Sequence, residues 1–347
     1  MAPGSRRSAL EFNPAGRSAV QPVMKPGLGW LRSRGEPGRF LSRLSLEGGA
    51  LALSLVALAA CDSASLAGAP SPLLPSSPSP VSAASHLDLV YSTYPRPLHL
   101  DLHLPSGTPP FPVVVWVHGG AWQGGNKSLS RGHHALQQRD RGYAVASIEY
   151  RLSGEAIFPA QIQDCKAAIR WLRANAVRYG LDPGRIAAWG SSAGGHLVAL
   201  LGTAAGVADL QDPVQGNASQ TDVVQAVVDW YGPTDFQQLS GGHHDTDSPE
   251  SRLLGCDIDD CPERVALASP LTYVDPGDPP FLIQHGSRDG TVDPNQSALL
   301  HAALLAAGVP STHLVLEGAG HGGSMFSTPA NLALVGAFLD ARLRAPR

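Results

Sequence analysis

From residue 86 onward the apolar positions follow two different periods. Residues 86–92 and 97–104 alternate apolar and polar side chains one for one, the spacing of strands with one covered face, and their short separation predicts an antiparallel hairpin. Near-continuous apolar runs follow at 111–117, 143–148, 186–189, 223–230, 281–284 and 313–316, a pattern that suits strands buried on both faces. Between them lie amphipathic stretches of helical length. Residues 159–179 carry Ile162, Cys165, Ile169 and Leu172 on one helical face, and 295–307 and 330–343 are similar. Gly180 and Gly308 stand where helices commonly end. A hairpin followed by strand–helix alternation predicts an α/β fold: a mostly parallel central sheet with helices on both faces. Residues 236–271 break the rhythm, being polar and rich in His and Asp, and are expected to form a small cap inserted after the strand that ends near Tyr231.

The first 85 residues follow neither period. An uncharged apolar run at 50–60 is preceded by Arg32, Arg34, Arg39 and Arg43. It is short for a membrane span but suits the h-region of a signal peptide. Leu58-Ala59-Ala60-Cys61 resembles a bacterial lipobox, which predicts cleavage after residue 60, lipidation of Cys61, and an exported lipoprotein anchored in the membrane and facing the periplasm or cell exterior. Ordinary secretion, with cleavage after 57–59 or 67–69, is the alternative, and translation could start at Met1 or Met24. Residues 61–85, rich in Ser, Pro and Ala, are expected to be a disordered tether, leaving 86–347 as one catalytic domain. The sequence leaves the oligomeric state open.

Composition narrows the function classes. The 347 residues include 25 Lys and Arg against 29 Asp and Glu, a net charge of −4, which lacks the basic excess nucleic-acid binding demands. Four cysteines are present. Cys256 and Cys261 flank four residues and could close as a disulfide in an oxidising compartment or remain free thiols in a loop. Cys165 lies in phase with the apolar face of its helix and reads as core.

The chemistry gathers at predicted strand ends. Gly190-Ser191-Ser192-Ala193-Gly194 sits between a strand and a helical stretch, the context of a G-x-S-x-G nucleophile elbow with Ser192 on a strained turn. A serine hydroxyl needs a general base, and the base needs a carboxylate to fix its tautomer. Asp289 follows the 281–284 strand and His321 follows the 313–316 strand, giving the chain order Ser, Asp, His. Asp235 and Asp293 are alternative acids. Gly119, Gly120 and Ala193 are placed to offer backbone N–H groups to an oxyanion, and His118 reads as a brace for that loop. Trp122, Trp230 and Tyr231, with Phe326, are candidate walls of a substrate pocket or else core. His243, His244, Asp245 and Asp247 could shape the cap or bind a metal, although a solvated loop is the simpler reading. No cofactor and no metal are predicted.

These residues resemble the hormone-sensitive-lipase-like branch of the α/β-hydrolase superfamily, and within it bacterial carboxylesterases similar to the esterase module of bimodular feruloyl esterases. The resemblance rests on His118-Gly119-Gly120-Ala121-Trp122, Tyr150-Arg151-Leu152, Gly190 to Gly194, Asp229-Trp230-Tyr231-Gly232-Pro233-Thr234-Asp235, His285 to Asp289, and Gly318-Ala319-Gly320-His321-Gly322. Ala121 departs from it, since that branch often has a third glycine there. The resemblance implies cofactor-free hydrolysis of small-molecule or polysaccharide-linked esters (short-chain acyl, acetyl or feruloyl) by Ser192, Asp289 and His321. A serine peptidase of the prolyl oligopeptidase type is the enzymatic alternative, but such enzymes usually carry Tyr where this chain has Ala193. A lipoprotein that keeps the fold as a non-catalytic binding module is the other.

Overall fold

Eight strands form one sheet in the order β1-β2-β4-β3-β5-β6-β7-β8. The computed structural model describes residues 79–344. These belong to the compact unit Pro72–Arg347, and the expected signal region, Cys61 and most of the expected tether lie outside the described residues. In chain order the elements are β1 (Ala84–Ser92), β2 (Leu98–Leu104), β3 (Phe111–Val117), β4 (Ala144–Ile148), α1 (Ala160–Ala174), α2 (Ala176–Tyr179), β5 (Leu181–Ser191) and α3 (Ala193–Thr203). They continue with β6 (Ala226–Trp230), α4 (Pro249–Leu254), α5 (Pro262–Ala268), β7 (Phe281–Gly286), α6 (Asn295–Ala306), β8 (Ser311–Leu316) and α7 (Pro329–Leu343). Strands β1–β2 and β2–β4 pair antiparallel, and every later pair is parallel.

The two-residue period of β3 divides its side chains between two cores. Val113, Val115 and Val117 face one cluster with Ile162, Ile169, Leu197 and Leu201 of α1 and α3. Val114 and Trp116 face the other, with Leu332, Val335 and Leu339 of α7. On that second face Trp116, Trp189 and Trp230 pack edge to face across neighbouring strands, with ring centroids 5.5 and 4.9 Å apart for the pairs made by Trp189. Ile162, Cys165, Ile169 and Leu172 are fully buried, as the helical spacing predicts.

Two local expectations are corrected. The hairpin's second strand is not half-exposed: β2 lies between β1 and β4, and its polar Asp101 and His103 are buried, Asp101 paired with Lys127 at 3.0 Å and His103 Nδ1 bonded to Ser85 Oγ at 2.9 Å. The sheet also starts two residues earlier than the alternation suggests, at Ala84, and Val81 bridges to Gly107, so the end of the expected tether is paired. The small cap expected at 236–271 is inserted between β6 and β7 and packs onto the core. Its Leu239, Leu253, Leu254, Ile258, Val265 and Ala268 join the core on the α1 and α3 face, and a disulfide joins Cys256 to Cys261.

Candidate active site

The carboxyl ends of the parallel strands bring Ser192, Asp289 and His321 together. Gly190 and Ser191 close β5, and Ser192 then takes φ 55° and ψ −122°, a left-handed region costly for a residue with a Cβ. The chain leaves directly into α3. Strand and helix can approach this closely because the elbow lacks side chains at its ends: a Cβ on Gly194 would press on the carbonyls of Val117 and His118.

Ser192 Oγ lies 2.9 Å from His321 Nε2, and His321 Nδ1 lies 2.8 Å from Asp289 Oδ2. Nδ1 donates to the carboxylate, which leaves Nε2 free to accept from the serine hydroxyl. Asp289 Oδ1 accepts from the backbone N–H groups of Thr291 (2.8 Å) and Val292 (3.0 Å). Burial alone would raise this carboxyl, but hydrogen bonds from His285, His321 and the two backbone groups outweigh it and hold the acid well below the usual carboxylate range. The alternative acids do other work. Asp235 accepts from Gln237 N and Gln238 Nε2, and Asp293 accepts from Asn295 N, so each caps a turn.

The glycine loop after β3 lies against the elbow. A Cβ on Gly119 would stand 2.7 Å from the Ser191 carbonyl and 3.2 Å from Ser192 Cβ, so only glycine lets the loop approach the serine. His118 braces it as expected: Nδ1 donates to Gly119 O at 2.7 Å, and the ring stacks on Tyr150 at 4.3 Å. Tyr150 in turn donates to His118 O at 3.0 Å. Ala121 sits at φ 54°, a conformation that favours glycine over a residue with a Cβ.

The expected pocket walls divide. Trp122 and Trp230 are 2% and 1% exposed and pack in the core, so they present almost no surface to a substrate. Trp122 donates from Nε1 to His196 Nδ1, and Trp230 donates to Gln284 Oε1. Phe326 is buried against Trp230 and Tyr231. Tyr231, by contrast, borders the site, its ring edge to face with His321 at 4.7 Å. The polar cap residues fasten the insertion: His243 contacts Glu250 and the Thr291 carbonyl, and His244 contacts Asp259 and the Leu239 carbonyl. Among the described residues no group of three His, Cys, Asp or Glu side chains is arranged to hold a metal ion.

Three buried polar residues near the site were given no role by the sequence reading. His196 on α3 donates to Ala268 O at 2.7 Å and accepts from Trp122, tying the insertion to the helix behind the nucleophile. Burial lowers its pKa to about 4. Asp229 on β6 is fully buried beside Gly195 and Gly232, and burial pushes its carboxyl up to about 7. His285 contacts the acid itself. A polar residue at the next-to-last position of a buried strand is the signal that Asp229 and His285 share.

A family model described as BD-FAE matches residues 100–304. Esterase LipC of Mycobacterium tuberculosis is 36% identical over 219 residues, 62% of this chain and 54% of LipC. The chain spans about half the length of the curated relatives it matches first. Among solved structures, a truncated carbohydrate esterase from gut microbiota superposes with a TM-score of 0.70 at 34% identity, covering 78% of this chain and all of that one. An acetyl ester-xyloside bifunctional hydrolase from Caldicellulosiruptor lactoaceticus gives 0.60 at 25% identity, over 71% of this chain and 89% of that one. The BD-FAE match extends over more than half of the sequence, and with the mostly parallel sheet and the strand–turn–helix at Ser192 the chain belongs to the BD-FAE family of α/β-hydrolases.

Proposed function

We propose that the protein is a serine carboxylesterase that removes short acyl groups from carbohydrate hydroxyls. The observation that carries this is the continuous hydrogen-bonded line from Ser192 Oγ through His321 to Asp289 behind a strained elbow. Ser192 Oγ attacks the ester carbonyl while its proton passes to His321 Nε2. Asp289 stabilises the imidazolium, and the N–H groups of Gly119, Gly120 and Ala193 receive the oxyanion. His321 then protonates the departing alkoxide, leaving an acyl-enzyme. Water, deprotonated by the same nitrogen, releases the acid and regenerates the serine.

The carbohydrate substrate class draws its support from the carbohydrate esterase and the acetyl ester-xyloside hydrolase among the structural neighbours. A panel of p-nitrophenyl esters from acetyl to octanoyl, with methyl ferulate, acetylated xylan and aminoacyl anilides, tests it. The expected outcome is acetate released from xylan, faster turnover of acetyl than octanoyl esters, and intact anilides. Preference for octanoyl with no release from xylan would overturn the carbohydrate reading, and anilide cleavage would restore the peptidase.

We also infer export with a diacyl anchor on Cys61, supported by the apolar run before it. Mass spectrometry of the membrane fraction should find acyl mass on Cys61, and a mature protein without it removes the anchor.

A further inference from the structure

A second serine–histidine pair meets the same carboxylate from its buried side. His285, near the end of β7, is fully buried, with Nε2 3.1 Å from Asp289 Oδ2 and 3.0 Å from the Val292 carbonyl. Its Nδ1 lies 2.7 Å from Ser297 Oγ in the first turn of α6. Carboxylates and carbonyls only accept, so Nε2 carries the hydrogen and Nδ1 receives the Ser297 hydroxyl. Ser297 is itself fully buried, out of reach of any substrate. Asp289 Oδ2 is therefore shared by two imidazoles, one facing the nucleophile and one facing the interior, while Oδ1 is held by two backbone groups. All four acceptor positions of the acid are filled.

We propose that His285 is a positioning residue that sets how strongly Asp289 holds the protonated form of His321. The inference rests on reading Ser192, His321 and Asp289 as the catalytic line. An N–H that shares the charge on Oδ2 weakens the pull of that oxygen on its other partner. With His285 in place, the His321 imidazolium is held less tightly, and the ring is free to accept the serine proton at lower pH. Ser297 fixes the tautomer that makes the donation.

The groups around this line are few. His285 faces Asp289 and the Val292 carbonyl of its own loop, Ser297 of α6 and, at 6.3 Å, the Tyr231 ring. Asp229 of β6 and His313 of β8 are the titratable groups that sense it electrostatically. His321 faces Asp289, Ser192 and Tyr231.

The test is kcat/KM against pH for wild type, His285→Gln, His285→Leu, Ser297→Ala and Ser192→Ala, with thermal unfolding of each. Gln can place an amide N–H near the position of Nε2, so His285→Gln should keep the acid limb where wild type has it. His285→Leu should move that limb about one pH unit higher, with kcat/KM about tenfold lower on the limb. Ser297→Ala should shift it the same way by less. A folded His285→Leu with an unmoved limb overturns the proposal, because a merely structural role would lower the whole profile without displacing it. Should His285→Leu not fold, an unmoved limb in Ser297→Ala overturns it instead. An inactive Ser192→Ala beside unmoved limbs sinks this inference alone, whereas an active Ser192→Ala sinks the catalytic reading beneath it.

Discussion

Ser192 holds a backbone conformation that costs an L-residue on the order of 1–3 kcal/mol, and it persists because β5 and α3 fix both of its flanks. That turn is expected from Gly190 and Gly194 because they flank the serine between a strand and a helical stretch. Asp289 and His321 were readable by their order after strands. The place of Asp289 after the 281–284 strand favours it over Asp235 and Asp293, and in the structure the two rivals cap turns. Asp289→Asn should therefore lower kcat by about 10⁴, while Asp235→Asn should leave ester turnover within a few-fold. The reverse result would move the acid to Asp235. Trp122 and Trp230 show the limit of reading aromatics near strand ends, because only tertiary packing decides between wall and core. Buried polar partners such as His196 were invisible for the same reason. Its pKa of about 4 lies below the ordinary 6.5, so the folded state keeps it neutral while the unfolded state takes up a proton. Its contribution is complete above pH 6.5 and is lost as pH falls toward 4. Asp229, raised to about 7, works in the opposite direction over the same range, so the comparison must isolate His196. Urea unfolding of wild type and His196→Gln should show the wild type losing about 2 kcal/mol relative to the variant between pH 7 and pH 5. A pH-independent difference between them would contradict that assignment.

At the scale of elements, six strands announced themselves as near-continuous apolar runs and β1 and β2 as alternating ones. Their ends were less readable. β5 begins at Leu181, ahead of Asp182-Pro183-Gly184, whose turn-forming character masks the early pairing of Leu181 with Phe111. β6 begins at Ala226, because Val223 is partly exposed before the ladder is joined. The stretch at 159–179 divides into α1 and α2 at Asn175, whose side chain turns back onto the Trp171 carbonyl. Residues 236–271 read as polar because the apolar positions that pack inward, such as Leu253 and Val265, are thinly spread among charged ones. The strand–helix approach at the elbow carries its own prediction. Gly194→Ala would force a methyl group onto the Val117 and His118 carbonyls and displace α3 from β3. It should lower kcat/KM by at least about 10²-fold, the scale of one lost oxyanion donor, with most of the fold's stability retained. A fully active Gly194→Ala would show that the loop and elbow need not touch.

For the whole molecule, the parallel sheet assembles the site: β5, β7 and β8 end on one side, so residues separated by up to 129 positions meet within a hydrogen bond. The two cores fix those strand ends from both faces, and the inserted segment braces α3 through His196 and the acid loop through the contact of His243 with Thr291. The proposed activation of Ser192 is chemistry that a binding module would not need. The most direct measurement is covalent labelling by a fluorophosphonate probe, read by intact-mass and peptide mapping on wild type and Ser192→Ala. The account predicts one adduct on wild type, located at Ser192, with labelling and p-nitrophenyl acetate hydrolysis both abolished in the folded variant. Undiminished labelling or hydrolysis in Ser192→Ala would contradict it.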